Sequence, residues 1–184
     1  KNAGKPLDIK RDDMYKWTDV TFAAQSVYDA IGGPKTQSDM QPADSRIERS
    51  TENIERHLEA HIAAHPETTF KIYMPPYSVG YWYLFTRGGL AEQQYRSRAR
   101  VCELLLEYPN VEIYDYSSRV EWITDLDEYF DYSHHSSAMS DQIMRAMAAG
   151  ENRVLTVEDM RAGSERIRQA VISFAEMYES GSGS

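Results

Sequence analysis

Apolar positions along the chain recur at helical spacing in some stretches and crowd into short β-rich runs in others, and this contrast lays out most of the elements. From Thr18, a residue suited to cap a helix, Val20, Ala23, Ala24, Val27 and Ile31 follow at helical spacing until Gly32-Gly33 ends the run. Residues 34–42 read as a polar loop. Ser45 with Glu48 forms a capping-box pattern, and Ile47, Ile54, Leu58 and Ile62 make a stripe that stops at His65-Pro66, which predicts a second helix over 44–65. The run Phe70-Lys71-Ile72-Tyr73-Met74, stopped by Pro75-Pro76, predicts a strand ending in a rigid loop. The aromatic stretch Tyr77 to Phe85 reads as a loop closed by Gly88-Gly89. Leu90 to Tyr108 then reads as a helix with Val101, Leu104 and Leu105 inward, and Pro109-Asn110 turns the chain into a second strand over 111–116. After a loop at 131–134, Met139, Ile143, Met144 and Met147 mark a helix that stops at Gly150, with the methionines read as core. A last helix opens at Thr156 with Glu158 and Asp159 in its first turn and runs through Met160, Ile167, Val171, Phe174 and Tyr178.

Strand, helix and strand in that order make a βαβ unit, so the two strands are expected to be parallel with a right-handed crossover. Parallel strands are normally buried within larger sheets, and two strands among five helices leave that sheet incomplete. Further strands in the loops, a partner chain, or an N-terminal part lying outside this sequence would complete it. The start at Lys1 and the linker-like end Ser180-Gly181-Ser182-Gly183-Ser184 point to the last of these, a piece of a longer gene product. The expected organisation is a flexible segment over 1–16, a partial α/β domain over 17–179 and a linker or tag over 180–184.

Composition narrows the function. In 184 residues, 29 acidic against 20 basic side chains give a net charge of -9, which repels phosphate backbones and anionic membranes and disfavours nucleic acid as a partner. No apolar run reaches bilayer length and no signal-peptide pattern is present, so this segment is expected to make no membrane contact. The single cysteine, Cys102, lies in an apolar helical pattern and reads as a small buried hydrophobe.

The chemically suggestive stretch is Asp131-Tyr132-Ser133-His134-His135-Ser136. A carboxylate three residues before an imidazole can hold it in one tautomer, ready to take a proton from a hydroxyl nucleophile. The spacing selects His134 over His135, which reads as facing solvent or substrate, and Ser136 as the cap of the following helix. His57, His61 and His65, at i, i+4 and i+8, could share a helix face, but no Cys, Asp or Glu cluster accompanies them and a solvated flank is the simpler reading. Asp125, Asp127 and Glu128 read as a solvated turn, and no metal or cofactor is expected. The rings of Tyr77, Tyr81, Trp82, Tyr83 and Phe85 either offer a stacking surface for a sugar or pack over the sheet edge.

The order of these features resembles the C-terminal half of an SGNH (GDSL-type) hydrolase. The likeness is carried by Phe70 to Ser78 (Phe-Lys-Ile-Tyr-Met-Pro-Pro-Tyr-Ser), by Val111 to Tyr116, and by Ile123-Thr124-Asp125-Leu126-Asp127-Glu128-Tyr129-Phe130-Asp131-Tyr132-Ser133-His134. With Gly150 and Leu155-Thr156 beyond, this is similar to the membrane-anchored cell-surface branch related to the D-alanyl transfer protein of lipoteichoic acid synthesis, over about residues 44–162. The resemblance implies the C-terminal part of a flavodoxin-like (SGNH) doubly wound parallel sheet in a three-layer α/β/α arrangement. It makes His134 and Asp131 the last two members of a Ser-His-Asp catalytic triad, with Tyr77, Ser78, Trp82 and His135 as substrate-binding residues. It also implies an esterase or O-acyltransferase acting on acyl esters of cell-envelope polysaccharide, at a bacterial cell surface, anchored by a segment not in this sequence. The family's Gly-Asp-Ser-like nucleophile block and its oxyanion Gly and Asn blocks are not recognisable here: Ser26 lies in a helical pattern and Ser78 follows the wrong strand. A truncated, nucleophile-lacking chain is expected to be inactive alone, and a non-catalytic carbohydrate- or protein-binding domain is the alternative.

Overall fold

The computed structural model describes residues 20–32, 49 and 51–181. The expectations for residues 1–16, Thr18, Gly33, the loop at 34–42, Ser45, Ile47, Glu48 and the tail beyond Gly181 lie outside them. Helix α1 spans Ala24–Gly32 and buries Val27 and Ile31. It begins later than the apolar spacing predicts, because the Ala23 N–H is taken by the Tyr129 carbonyl at 3.0 Å and the Ala24 N–H by the Asp127 carboxylate at 3.0 Å. Its cap is thus tertiary rather than local. Helix α2 covers residues 51–64, with a π-helical stretch at Glu55–Glu59, and buries Ile62. Its end is held by the Asn110 side-chain amide, which donates to the carbonyls of Ile62, His65 and Thr68.

Strands β1 (Phe70–Met74) and β2 (Val111–Asp115) pair in parallel, with Ile72 opposite Ile113. A third strand, β3 (Arg153–Val154), adds antiparallel to β2, so among the described residues the sheet has three strands in the order β1-β2-β3 rather than two. Two residues are too few for a period-two pattern, which is why spacing alone passes over β3.

The aromatic stretch is not a loop. Val79–Arg87 forms helix α3, burying Val79, Trp82 and Tyr83 at i, i+3 and i+4. Aromatic residues are mediocre helix formers, but packing of such a stripe outweighs a propensity deficit of a few tenths of a kcal/mol per residue. Helix α4 (Ala91–Leu105), the single turn α5 (Val120–Ile123), a 3-10 turn at Leu126–Glu128, α6 (Ser137–Ala149) and α7 (Val157–Gly181) follow. The Ser136 hydroxyl accepts from the Met139 N–H at 3.1 Å to cap α6, and Gly150 closes that helix in the left-handed region at φ 76°. Ser180 and Gly181 are the last residues of α7. Met139 and Met147 are buried as expected, whereas Met144 faces solvent.

The fold is therefore mixed α/β with a small sheet. One sheet face, through Val111, Ile113 and Val154, packs against Ile62 of α2, Cys102 and Leu105 of α4 and Met160 of α7. On the other face, Tyr114 packs against Trp122 of α5 and Met139, Ile143 and Met147 of α6. A third cluster joins α1, α3, α4 and α7 through Ile31, Trp82, Tyr95 and Phe174. Among the described residues no helix is long and apolar enough to cross a membrane.

Candidate active site

The turn that follows the 3-10 segment brings Asp131 and His134 into contact. His134 Nδ1 lies 2.7 Å from Asp131 Oδ2, with the imidazole 57% exposed and the carboxylate 27% exposed. The other carboxylate oxygen, Oδ1, accepts from the backbone N–H of Ser133 at 2.7 Å, the Ser133 hydroxyl at 3.1 Å and the His134 N–H at 2.8 Å. A carboxylate that accepts its own turn's amides is a rigid platform, and the ring it holds inherits that rigidity. Burial pushes the Asp131 carboxyl upward, but the hydrogen bonds from Ser133, the His134 ring and the His134 amide outweigh it and hold the group below its ordinary value. An ionised Asp131 can only accept, so Nδ1 must carry the proton, which leaves Nε2 as the basic nitrogen.

Neighbours fix the ring's plane and the turn's position. Phe130 stacks on the His134 imidazole at 5.1 Å and 15°, and Phe22 meets Phe130 edge-on at 5.7 Å. The Phe130 N–H donates to the His134 carbonyl at 3.2 Å, and the Ser136 N–H donates to the Glu128 carbonyl at 2.8 Å. The Ser136 hydroxyl also donates to the Glu128 carboxylate. Asp125 and Asp127 are exposed, as a solvated turn requires, and Asp127 and Glu128 also accept hydrogen bonds, one from α1 and one from Ser136. The Ser133 hydroxyl sits 3.1 Å from Nδ1, on the orienting side of the ring, where it cannot serve as the nucleophile for Nε2.

Of the other predicted site residues, Tyr77 and Trp82 border one cavity, whereas Ser78 and His135 do not. Ser78 is fully buried, and its hydroxyl donates to the Tyr132 carbonyl at 2.8 Å, so it does not face a substrate. Trp82 is buried as well, stacked on Tyr95 at 5.6 Å with the Arg98 guanidinium over its ring at 5.3 Å. Half-buried Tyr77 stacks on Tyr81 at 4.5 Å, and both border a cavity of about 210 Å³ beside Pro75, Arg98 and Ser117 at the C-terminal ends of β1 and β2. His134 and His135 do not line it. The ring of His135 turns to the Ser136 carbonyl at 3.1 Å, and its backbone bridges to Tyr129. A larger groove, about 940 Å³, runs between α1 and α7 past Tyr28, Leu126 and Phe174, and His134 lies outside it too. His57, His61 and His65 are exposed, and no group of three potential metal ligands converges among the described residues.

The roles of Phe130 and Ser133 are not legible in the sequence although both sit in the same block, and Glu128 reads there only as part of a solvated turn. Their roles depend on a turn folding back on itself, which the i, i+3 spacing of Asp131 and His134 hints at without specifying. Compared with known protein families, curated proteins and solved structures, the chain matches none.

Proposed function

We propose that this chain carries the general base and its orienting carboxylate for an SGNH-type serine esterase or O-acyltransferase acting on acyl esters of a cell-envelope polysaccharide or polymer. The reading is carried by one observation: an exposed imidazole held at 2.7 Å by a carboxylate whose second oxygen is fully occupied by its own turn. In this mechanism Nε2 of His134 takes the proton of a serine hydroxyl as it attacks the ester carbonyl, and Asp131 stabilises the imidazolium that results. The same nitrogen then returns the proton to the leaving alcohol. Water or a sugar hydroxyl completes the turnover, giving hydrolysis or transfer.

The serine and the oxyanion donors would come from sequence preceding this chain or from a partner chain, through strands added to complete a flavodoxin-like doubly wound sheet. Two parallel strands with helices on both faces, and an Asp131–His134 turn joined to the segment after β1, support that arrangement. An extracytoplasmic, cell-surface location belongs to the same proposal. Tyr77 and Tyr81, bordering the cavity at the strand ends, are the stacking surface on which a sugar ring would rest.

The test is hydrolysis of an acetyl ester by the full-length protein with and without His134→Ala. Loss of a general base predicts a fall of about a hundredfold or more in kcat/KM, and equal turnover by both proteins removes His134 from the mechanism. No turnover by either protein favours the second reading, a non-catalytic carbohydrate- or protein-binding domain.

A further inference from the structure

We infer that Ser78 is a positioning residue for the Asp131–His134 pair, tying the reactive turn to the end of β1. Ser78 occupies the N-cap of α3, with φ −59° and ψ 159°, where a serine hydroxyl ordinarily accepts a hydrogen bond from the first turn of its own helix. Here it makes no such bond. Instead, both the Ser78 hydroxyl, at 2.8 Å, and the Ser78 N–H, at 3.3 Å, donate to the Tyr132 carbonyl, 54 residues away in sequence.

That carbonyl lies inside the turn, between Asp131 and the amides of Ser133 and His134 that its carboxylate accepts. Nearby donors act on the neighbouring frame: the Tyr129 hydroxyl on the Pro76 carbonyl at 2.5 Å and the Ser117 hydroxyl on the Pro75 carbonyl at 2.8 Å. Pro75 and Pro76 restrict the backbone that presents Ser78. A serine without access to solvent, diverted from its cap to a distant carbonyl, thus anchors the peptide whose neighbours aim the imidazole.

The inference rests on reading His134 as a base, but its test does not need turnover. In Ser78→Ala, ring nitrogen shifts should show His134 losing part of its Nδ1–H tautomer, and the Asp131 carboxyl should titrate closer to its ordinary value. The Ser133 and His134 amide protons should exchange about fivefold faster, the scale of one lost hydrogen bond. Ser78→Cys, which keeps the volume but donates weakly, should give intermediate changes and supplies the reading if the alanine variant does not fold. Thr86→Ala removes a hydroxyl from the same helix, one that donates to the Trp82 carbonyl, and should move none of these signals. A folded Ser78 variant with all three signals unmoved, or a Thr86→Ala protein that moves them equally, overturns the inference. Undiminished ester turnover by His134→Ala would instead overturn the base assignment while leaving the anchoring intact.

Discussion

Asp131 gives the protein a pH dependence with a definite sign. Its carboxyl is held below the ordinary value because the folded turn's hydrogen bonds outweigh the effect of burial, so the folded chain releases that proton more readily than the unfolded one. Such a group adds stability above its unfolded value, and the contribution disappears as pH falls through the folded value. Denaturant midpoints followed from about pH 6 down to about pH 3, across the ordinary carboxylate range, should therefore fall less steeply in Asp131→Asn than in the parent. An identical acid slope in both would show that the turn's hydrogen bonds do not favour the ionised form. At this scale the sequence was informative where partners are close along the chain. Asp131 and His134 are three residues apart, and Ser136 caps the helix it precedes. It was silent where a side chain works at a distance, as with Ser78 on Tyr132 and Asp127 on α1.

Among the elements, α3 and β3 show two different ways in which local pattern falls short. The stripe Val79, Trp82, Tyr83 before Gly88-Gly89 is a helical signal that the density of aromatic residues disguised. The strand Arg153–Val154 has no signal at all, because it exists only by pairing with Tyr114 and Ile113. Helix α7 carries a sharper constraint in Gly163, where a side-chain carbon would overlap the Asp115 carboxylate and crowd Ser118. Replacing an interior helical glycine by alanine gains up to about 1 kcal/mol of helix propensity, while overpacking costs about 1 to 3 kcal/mol. Steric crowding against a held carboxylate should win, so Gly163→Ala is expected to lower the denaturation midpoint. A rise in that midpoint would mean that α7 can shift away from β2 without penalty.

At the scale of the whole molecule, the close approach at Gly163 serves a buried ion pair that bridges the layers. Arg98 of α4 reaches Asp115 at the end of β2 at 2.7 Å, with side-chain exposures of 7% and 4%. Removing one partner of such a pair strands the other without water, at about 3 to 5 kcal/mol. Arg98→Met should therefore destabilise the fold by that order in chemical denaturation, and Arg98→Met combined with Asp115→Leu should recover much of the loss. If the double variant is no more stable than the single one, the cost lies in packing around Trp82 and not in the stranded charge.

The sequence by itself determined the helices and strands wherever apolar spacing persists for several turns or a β-rich run meets proline. It also set a carboxylate and an imidazole near enough for one turn to join them. Only the tertiary structure decided that Ser78 and Trp82 turn inward, that a third strand forms, and that an arginine from one layer neutralises an aspartate in another. Periodicity records which face of an element is apolar. It does not record which distant donor finds which carbonyl or carboxylate, because that pairing exists only once the faces have packed.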